Sequence, residues 1–221
     1  MEKNEYLYRS YSEQQNQKPI DEQSGVLIEG HIKIFDPDSD EVFVDKRNAI
    51  HYENFSEALA KSIANRSDGY IEEMHFGNGG TSVDATGVIT YLTPNNSGSN
   101  SALYNETYYK SINDLSAANS DATRNKIEVR HTSGNVYSDI VCTCLLDYGE
   151  PAGQSAFDNT TTFTDSFVFD ELALYSYSTS GAGKGKLLTH VVFHPVQKSL
   201  NRLIQIDYTV RVQSLTNFVE S

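Results

Sequence analysis

Tryptophan is absent from this chain, cysteine and methionine occur twice each, and proline occurs only five times in 221 residues. No apolar run approaches the ~18 residues that a membrane helix needs, so no membrane contact is expected. The N-terminus, MEKNEYLYRSYSEQQNQ, is polar where a signal peptide would be apolar, which predicts a protein made and kept, or assembled, in a cytoplasm. The only cysteines, Cys142 and Cys144, stand two apart in an alternating segment. Both would point to one face of a strand, where geometry disfavours a mutual disulfide, so they are expected to be core thiols.

Basic residues are also scarce. Lys and Arg number 17 against 30 Asp and Glu, and the net charge of -13 excludes a general grip on nucleic acid, which needs clustered cations. The imbalance is uneven. From Lys184 onward, Lys184, Lys186, Lys198, Arg202 and Arg211 face only Asp207 and Glu220, a local +3 that leaves about -16 elsewhere. Such an asymmetry could orient head-to-tail contacts between subunits, or simply be two solvated faces.

The residues that are abundant are those of strands. Fourteen Tyr and ten Phe suit a pleated, half-buried surface. Residues 1–23 are polar without a sustained period and read as an assembly arm; 24–221 read as a single β-rich domain. Gly25–Phe35, with Ile28, Ile32 and Ile34 alternating, and Glu41–Asp45 predict a hairpin around the acidic turn Asp36–Asp40. One helix is predicted over Asn54–Asn65, capped by Asn54 or Ser56, with Phe55, Leu59 and Ile63 as its apolar stripe and Asp68-Gly69 as its end.

Further strands are predicted at Tyr70–Phe76, Val88–Leu92, Lys126–His131, Val136–Asp147, Ser166–Tyr175, Lys186–Phe193 and Leu203–Leu215. The last has the cleanest alternation and should be central, whereas Pro195 should stop ladder pairing in the strand before it. Leu103–Arg124 reads equally as strand or crossing loop. Thr93–Ser101 and Ser176–Gly185 are small-residue loops. Around nine strands, one amphipathic helix and long loops give a mainly β fold, a β-sandwich or jelly-roll-like domain.

Few residues carry chemistry. Asp36, Asp38 and Asp40 have the alternate spacing of a calcium loop, but Glu41 and Arg47 stand where that loop needs glycine and a bidentate carboxylate. A plain acidic turn fits better. Gly77-Asn-Gly-Gly80 follows a strand but lacks the lysine of a phosphate cradle, and reads as a turn requiring positive φ. His190 and His194 would lie on one strand face ~13 Å apart, too far to share a metal. With no nucleophile elbow and no framed cysteine, the chain reads as a non-enzyme without catalytic, metal or cofactor residues.

Three segments, VDKRNAIHYENFSEALAKSIA (44–64), IEEMHFGNGGTSVDATGVITYL (71–92) and LLTHVVFHPVQKSLNRLIQIDYTVRVQ (187–213), resemble virion structural proteins of tailed bacteriophages. The resemblance implies a subunit of a homo-oligomeric ring or lattice in the virion, assembled in the host cytoplasm at the neck, tail or baseplate or on the head surface. Its implied partners are its own copies and other virion proteins. Two other roles are open at this point: capsid decoration, and host-receptor or carbohydrate binding through Tyr104–Tyr109 and Tyr175–Tyr177.

Overall fold

The computed structural model describes residues 25–151 and 166–215, so the arm read over 1–23 lies outside the described residues. The first hairpin is as expected. β1 (Gly25–Phe35) buries Ile32 and Ile34 and pairs with β2 (Val42–Ile50), which runs five residues beyond the anticipated strand. There follow α1 (Tyr52–Ile63), β3 (Ile71–Gly77), β4 (Thr81–Val83), β5 (Ile89–Tyr91) and β6 (Glu106–Ser111). The rest of the described chain is β7 (Lys126–Arg130), β8 (Tyr137–Leu146), β9 (Ser166–Ser176), β10 (Thr189–Ser199) and β11 (Ile204–Leu215).

Nine of these strands form one antiparallel sheet in the order β6-β3-β9-β10-β2-β1-β11-β8-β7, and β4 and β5 form a separate hairpin. The sheet is pinched at its middle, where β10 and β2 share only the pairs Thr189–Ile50 and His190–Ala49. It curls there, so that Met74, Phe76, Leu172 and Phe193 from one half share a core with Ile32, Ile34, Cys144, Ile206 and Tyr208 from the other. Lys110 of β6 fastens the halves across the open side by donating to the Leu145 carbonyl at 2.8 Å and to Glu150 at 2.5 Å. Among the described residues the result is a mainly β, sandwich-like domain with one helix.

β11 is central, between β1 and β8, with Ile204, Ile206, Tyr208 and Val210 fully buried and Gln205, Asp207 and Thr209 half-buried, the alternation its sequence shows. Cys142 and Cys144 are free thiols on the buried face of β8. Burial raises the pKa of both, that of Cys144 to about 12. A thiolate is the reactive form. Neither thiol is therefore expected to react with DTNB in the folded protein at pH 8, and both are expected to react in 6 M guanidinium; prompt native labelling would show that β8 is not packed as described.

Three local readings are corrected. The helix is capped by His51, whose Nδ1 accepts the Asn54 N–H at 3.2 Å, while the Asn54 amide turns inward to donate to the Leu187 carbonyl at 2.9 Å. Ile63 is 80% exposed. Residues eight apart on a helix diverge by about 80°, so the buried stripe is Asn54, Phe55 and Ala58 and has left Ile63 behind. The helix runs from Tyr52 to Ile63 rather than from Asn54 to Asn65, and Asn65, expected as its last residue, takes a left-handed φ of 54° just past its end.

Pro195 does not end its strand. The β9–β10 register breaks after Val192 and resumes at Val196, so the proline sits in a bulge where its missing N–H costs no ladder bond. The ambiguous stretch after Leu103 supplies edge strand β6, and then loops from Asn113 to Asn125 held by side-chain turns such as Leu115 N–H to Asn113 Oδ1 at 3.0 Å.

Candidate functional site

Two features stand apart from the common core: a polar layer over one half of the sheet and an apolar groove at one end of the sandwich. The polar layer covers β3, β6, β9 and β10. Segment 78–105 and the loop before Leu187 lie over it, and Leu103, Ala173, Tyr175 and Leu187 pack together beneath them.

Adjacent carboxylates of β9 anchor this cover. Glu171 is fully buried and accepts four donors: the N–H groups of Gly79 (3.1 Å), Tyr104 (2.9 Å) and Asn105 (2.8 Å), and Nε2 of His190 (3.0 Å). Asp170 accepts the N–H groups of Gly80 and Thr81, each at 2.9 Å, and the Thr81 hydroxyl. Burial raises the pKa of Asp170, aided by the neighbouring Glu171 charge and opposed by its donors from Thr81 and Gly80. At Glu171 burial pushes the same way, but the hydrogen bonds from His190, Asn105, Tyr104 and Gly79 prevail and its pKa is lowered.

The Gly77–Gly80 turn is thus a cradle of N–H groups for anions after all, and the anions it holds are the protein's own carboxylates. None of its three glycines has positive φ, contrary to expectation. They are needed for close approach: a Cβ on Gly77 would lie 2.5 Å from Glu171 Oε1 and 2.6 Å from the Asn105 carbonyl, and one on Gly80 2.9 Å from Val192. Gly77→Ala is expected to cost about 1–3 kcal/mol, measured as a lower urea midpoint, because backbone and a clamped carboxylate must both yield. An unchanged midpoint would mean that the turn is not held this closely.

Next to this clamp, His75 of β3 lies between Glu106 (Nδ1, 2.9 Å) and Glu73 (Nε2, 3.1 Å). Both ring nitrogens face carboxylate oxygens, so both donate and the ring is the imidazolium. Burial pulls the His75 pKa down, but the hydrogen bonds and charges of Glu106 and Glu73 outweigh it and the pKa is raised. Tyr175 stacks on one side at 3.7 Å between centroids and Tyr109 lies at 5.3 Å. Glu73 also accepts the Gly183 N–H at 3.0 Å, which ties the second small-residue loop to the same cation.

The Thr93–Ser101 loop is largely exposed, as its composition suggests, yet two buried histidines hold it. His190 Nδ1 accepts the Asn95 N–H at 2.8 Å, and His51 Nε2 donates to the Gly98 carbonyl at 3.0 Å. His194, four residues from His190, is exposed and meets the Tyr91 hydroxyl at 3.2 Å. Among the described residues no three His, Cys, Asp or Glu side chains gather as metal ligands.

Asp36, Asp38 and Asp40 do not converge. Asp36 is buried and accepts the Asp38 N–H, Asp38 accepts the Tyr148 hydroxyl at 2.8 Å, and Asp40 is an exposed turn residue with φ 58°. The basic run from Lys184 is no free patch either. Lys186 pairs with Glu57, Arg202 with Glu41 and Arg211 with Asp139, and Lys198 is buried against the carbonyls of Asp147 and Ser199. Of the tyrosines considered for sugar stacking, Tyr175 is buried and Tyr177 stacks on Tyr70 at 5.0 Å; Tyr104 and Tyr109 are exposed.

The second feature is a groove of about 810 Å³ where the helix meets the β7 edge. Phe55 and Leu59 of α1 line one wall and Ile127, Val129, Ile140 and Val212 the other, with the 113–118 turn at the rim. Val129 is 72% exposed and Leu115 on the rim 90%. No helix among the described residues is long and apolar enough to cross a membrane. No protein-family model, no curated protein and no solved structure matches the chain.

Sequence reasoning missed the groove, the buried Glu73 and His75 with their exposed partner Glu106, and the buried Asp170–Glu171 pair. The alternation of Glu73 and His75 on one face of a strand was the available signal. Nothing in sequence marks Glu106, 31 residues further on, as their partner.

Proposed function

We propose that this chain is a structural subunit of a tailed-phage virion, a neck or tail component that forms a symmetric ring with its own copies and contacts other virion proteins. The observation that carries this reading is the apolar groove beside an open sheet edge, rimmed by exposed Leu115 and Val129. Apolar surface gathered in a concave site marks contact with a partner, whereas isolated exposed apolar residues do not. The polar layer supports the same reading, since each of its carboxylates is engaged by donors that fix loops. Such side chains build a rigid surface for assembly.

The mass of the purified full chain, together with particle assembly in a phage lacking it, tests the reading. Defined oligomers and defective particles are expected. A strict monomer whose loss leaves particles normal would rule the proposal out.

A further inference from the structure

We propose that the groove between α1 and the β7 edge is the seat of the N-terminal segment, residues 1–24, of a neighbouring copy. This inference rests on the assembly reading above and names the contact that would build the ring.

The described chain begins near the groove. Gly25 pairs with Leu215 at the end of β11, three residues beyond Val212 in the groove wall, or about 10 Å along the strand. The segment before Gly25 therefore departs from the same end of the sandwich as the groove. Its apolar content is concentrated far from that point: Tyr6, Leu7, Tyr8 and Tyr11 lie 14 to 19 residues before Gly25. An extended chain of that length spans about 45–65 Å. A body of this size is about 40 Å across, close to the spacing of two such bodies in contact.

A handful of residues would suffice to reach the groove of the same chain. The 14 to 19 residues between the aromatic cluster and Gly25 are enough, if extended, to reach the next one. Arms exchanged head-to-tail in this way close a ring when the rotation between subunits closes.

The chemistry of the two surfaces matches. Tyrosine presents a broad apolar ring with a hydroxyl at its tip, the side chain most suited to anchoring in an apolar groove with a polar rim. The groove offers Phe55, Leu59, Ile127 and Val129 as walls, and the carboxylate of exposed Asp114 as an acceptor at the margin. Extended residues Tyr6 and Tyr8 share one face and Leu7 the other, so the cluster could fill both walls at once.

The test uses the full chain. One version carries Leu7→Cys and another Val129→Cys; Cys142 and Cys144 are buried and stay silent. The two are mixed and treated with a short bismaleimide. A cross-linked pair containing one chain of each kind is expected, and it should diminish at least tenfold when Leu115→Glu is added on the groove-bearing chain.

Because Leu115 and Val129 are exposed, these substitutions leave the core intact, which circular dichroism verifies. A third version carries both Leu7→Cys and Val129→Cys, and cross-linking within it alone, with none between the two single versions, would overturn the inference in favour of the chain's own segment. Oligomers that persist without any cross-link would overturn it while leaving the assembly reading standing. A monomeric parent chain would remove both.

Discussion

Glu171→Ala is expected to lower the unfolding free energy by about 3–5 kcal/mol, the largest effect of any single substitution in the polar layer. The carboxylate is fully buried and receives the N–H groups of Gly79, Tyr104 and Asn105 together with His190. Truncation leaves all four donors without their carboxylate acceptor, and an unsatisfied buried donor costs about 1–3 kcal/mol. The Gly77–Gly80 turn and the Tyr104–Asn105 strand approach would loosen together. Glu171→Gln should cost roughly half as much, because the amide keeps one acceptor oxygen but turns an NH2 toward the remaining donors. Urea titration of both variants checks this, and a loss below about 1 kcal/mol for Glu171→Ala would show that the clamp does not carry the layer.

His75→Leu should be the next most damaging change, by about 3 kcal/mol at pH 6, and its effect should depend on pH. The substitution leaves Glu73, nearly buried, without its cation and Glu106 without its donor. In the wild type the folded-state pKa of His75 lies above the unfolded value of about 6.5. A raised pKa means that the folded state binds the proton more tightly, so the stabilisation is complete below the unfolded value and disappears as pH rises through the folded value. The stability difference between wild type and His75→Leu should therefore shrink between pH 6 and pH 9. A difference that grows over that interval would reverse the assignment of His75 as a cation.

Toward acid the dependence runs the other way. Hydrogen bonds from Lys186 and Lys61 hold the Glu57 carboxyl at about 2, and those from Thr123 and Arg124 hold Asp121 at about 2. Their contributions are present above ordinary carboxylate values and lost as pH falls through the depressed ones. Both groups are partly exposed and screened by solvent, so these contributions are minor beside that of His75.

Much of the strand content was legible because it rests on local pattern. The alternation of β11 and of β1 is imposed by burial of one face, and the Asp36–Asp40 turn separates β1 from its hairpin partner in sequence as in space. What was not legible depends on pairing across distance. The helix stripe was misplaced because Asn54, a polar residue, occupies a buried position where its amide reaches a carbonyl 133 residues away. Pro195 was read as a strand stop because a bulge is visible only in the register with β9.

The polar layer shows the same limit. Gly77–Gly80 was recognised as an unusual turn, but the carboxylates it cradles come from β9, 90 to 92 residues later. The groove has no sequence signal at all, since its walls come from α1, β7, β8 and β11 and become a surface only when the sheet curls.

The role proposed for this chain is that of a subunit that builds a tailed-phage particle by making interfaces. Its most direct test is the copy number and position of the chain in purified particles, by quantitative mass spectrometry with cryo-electron microscopy. A small fixed number of copies arranged as a ring at the neck or along the tail is the result this account expects. Absence of the chain from intact particles would contradict it.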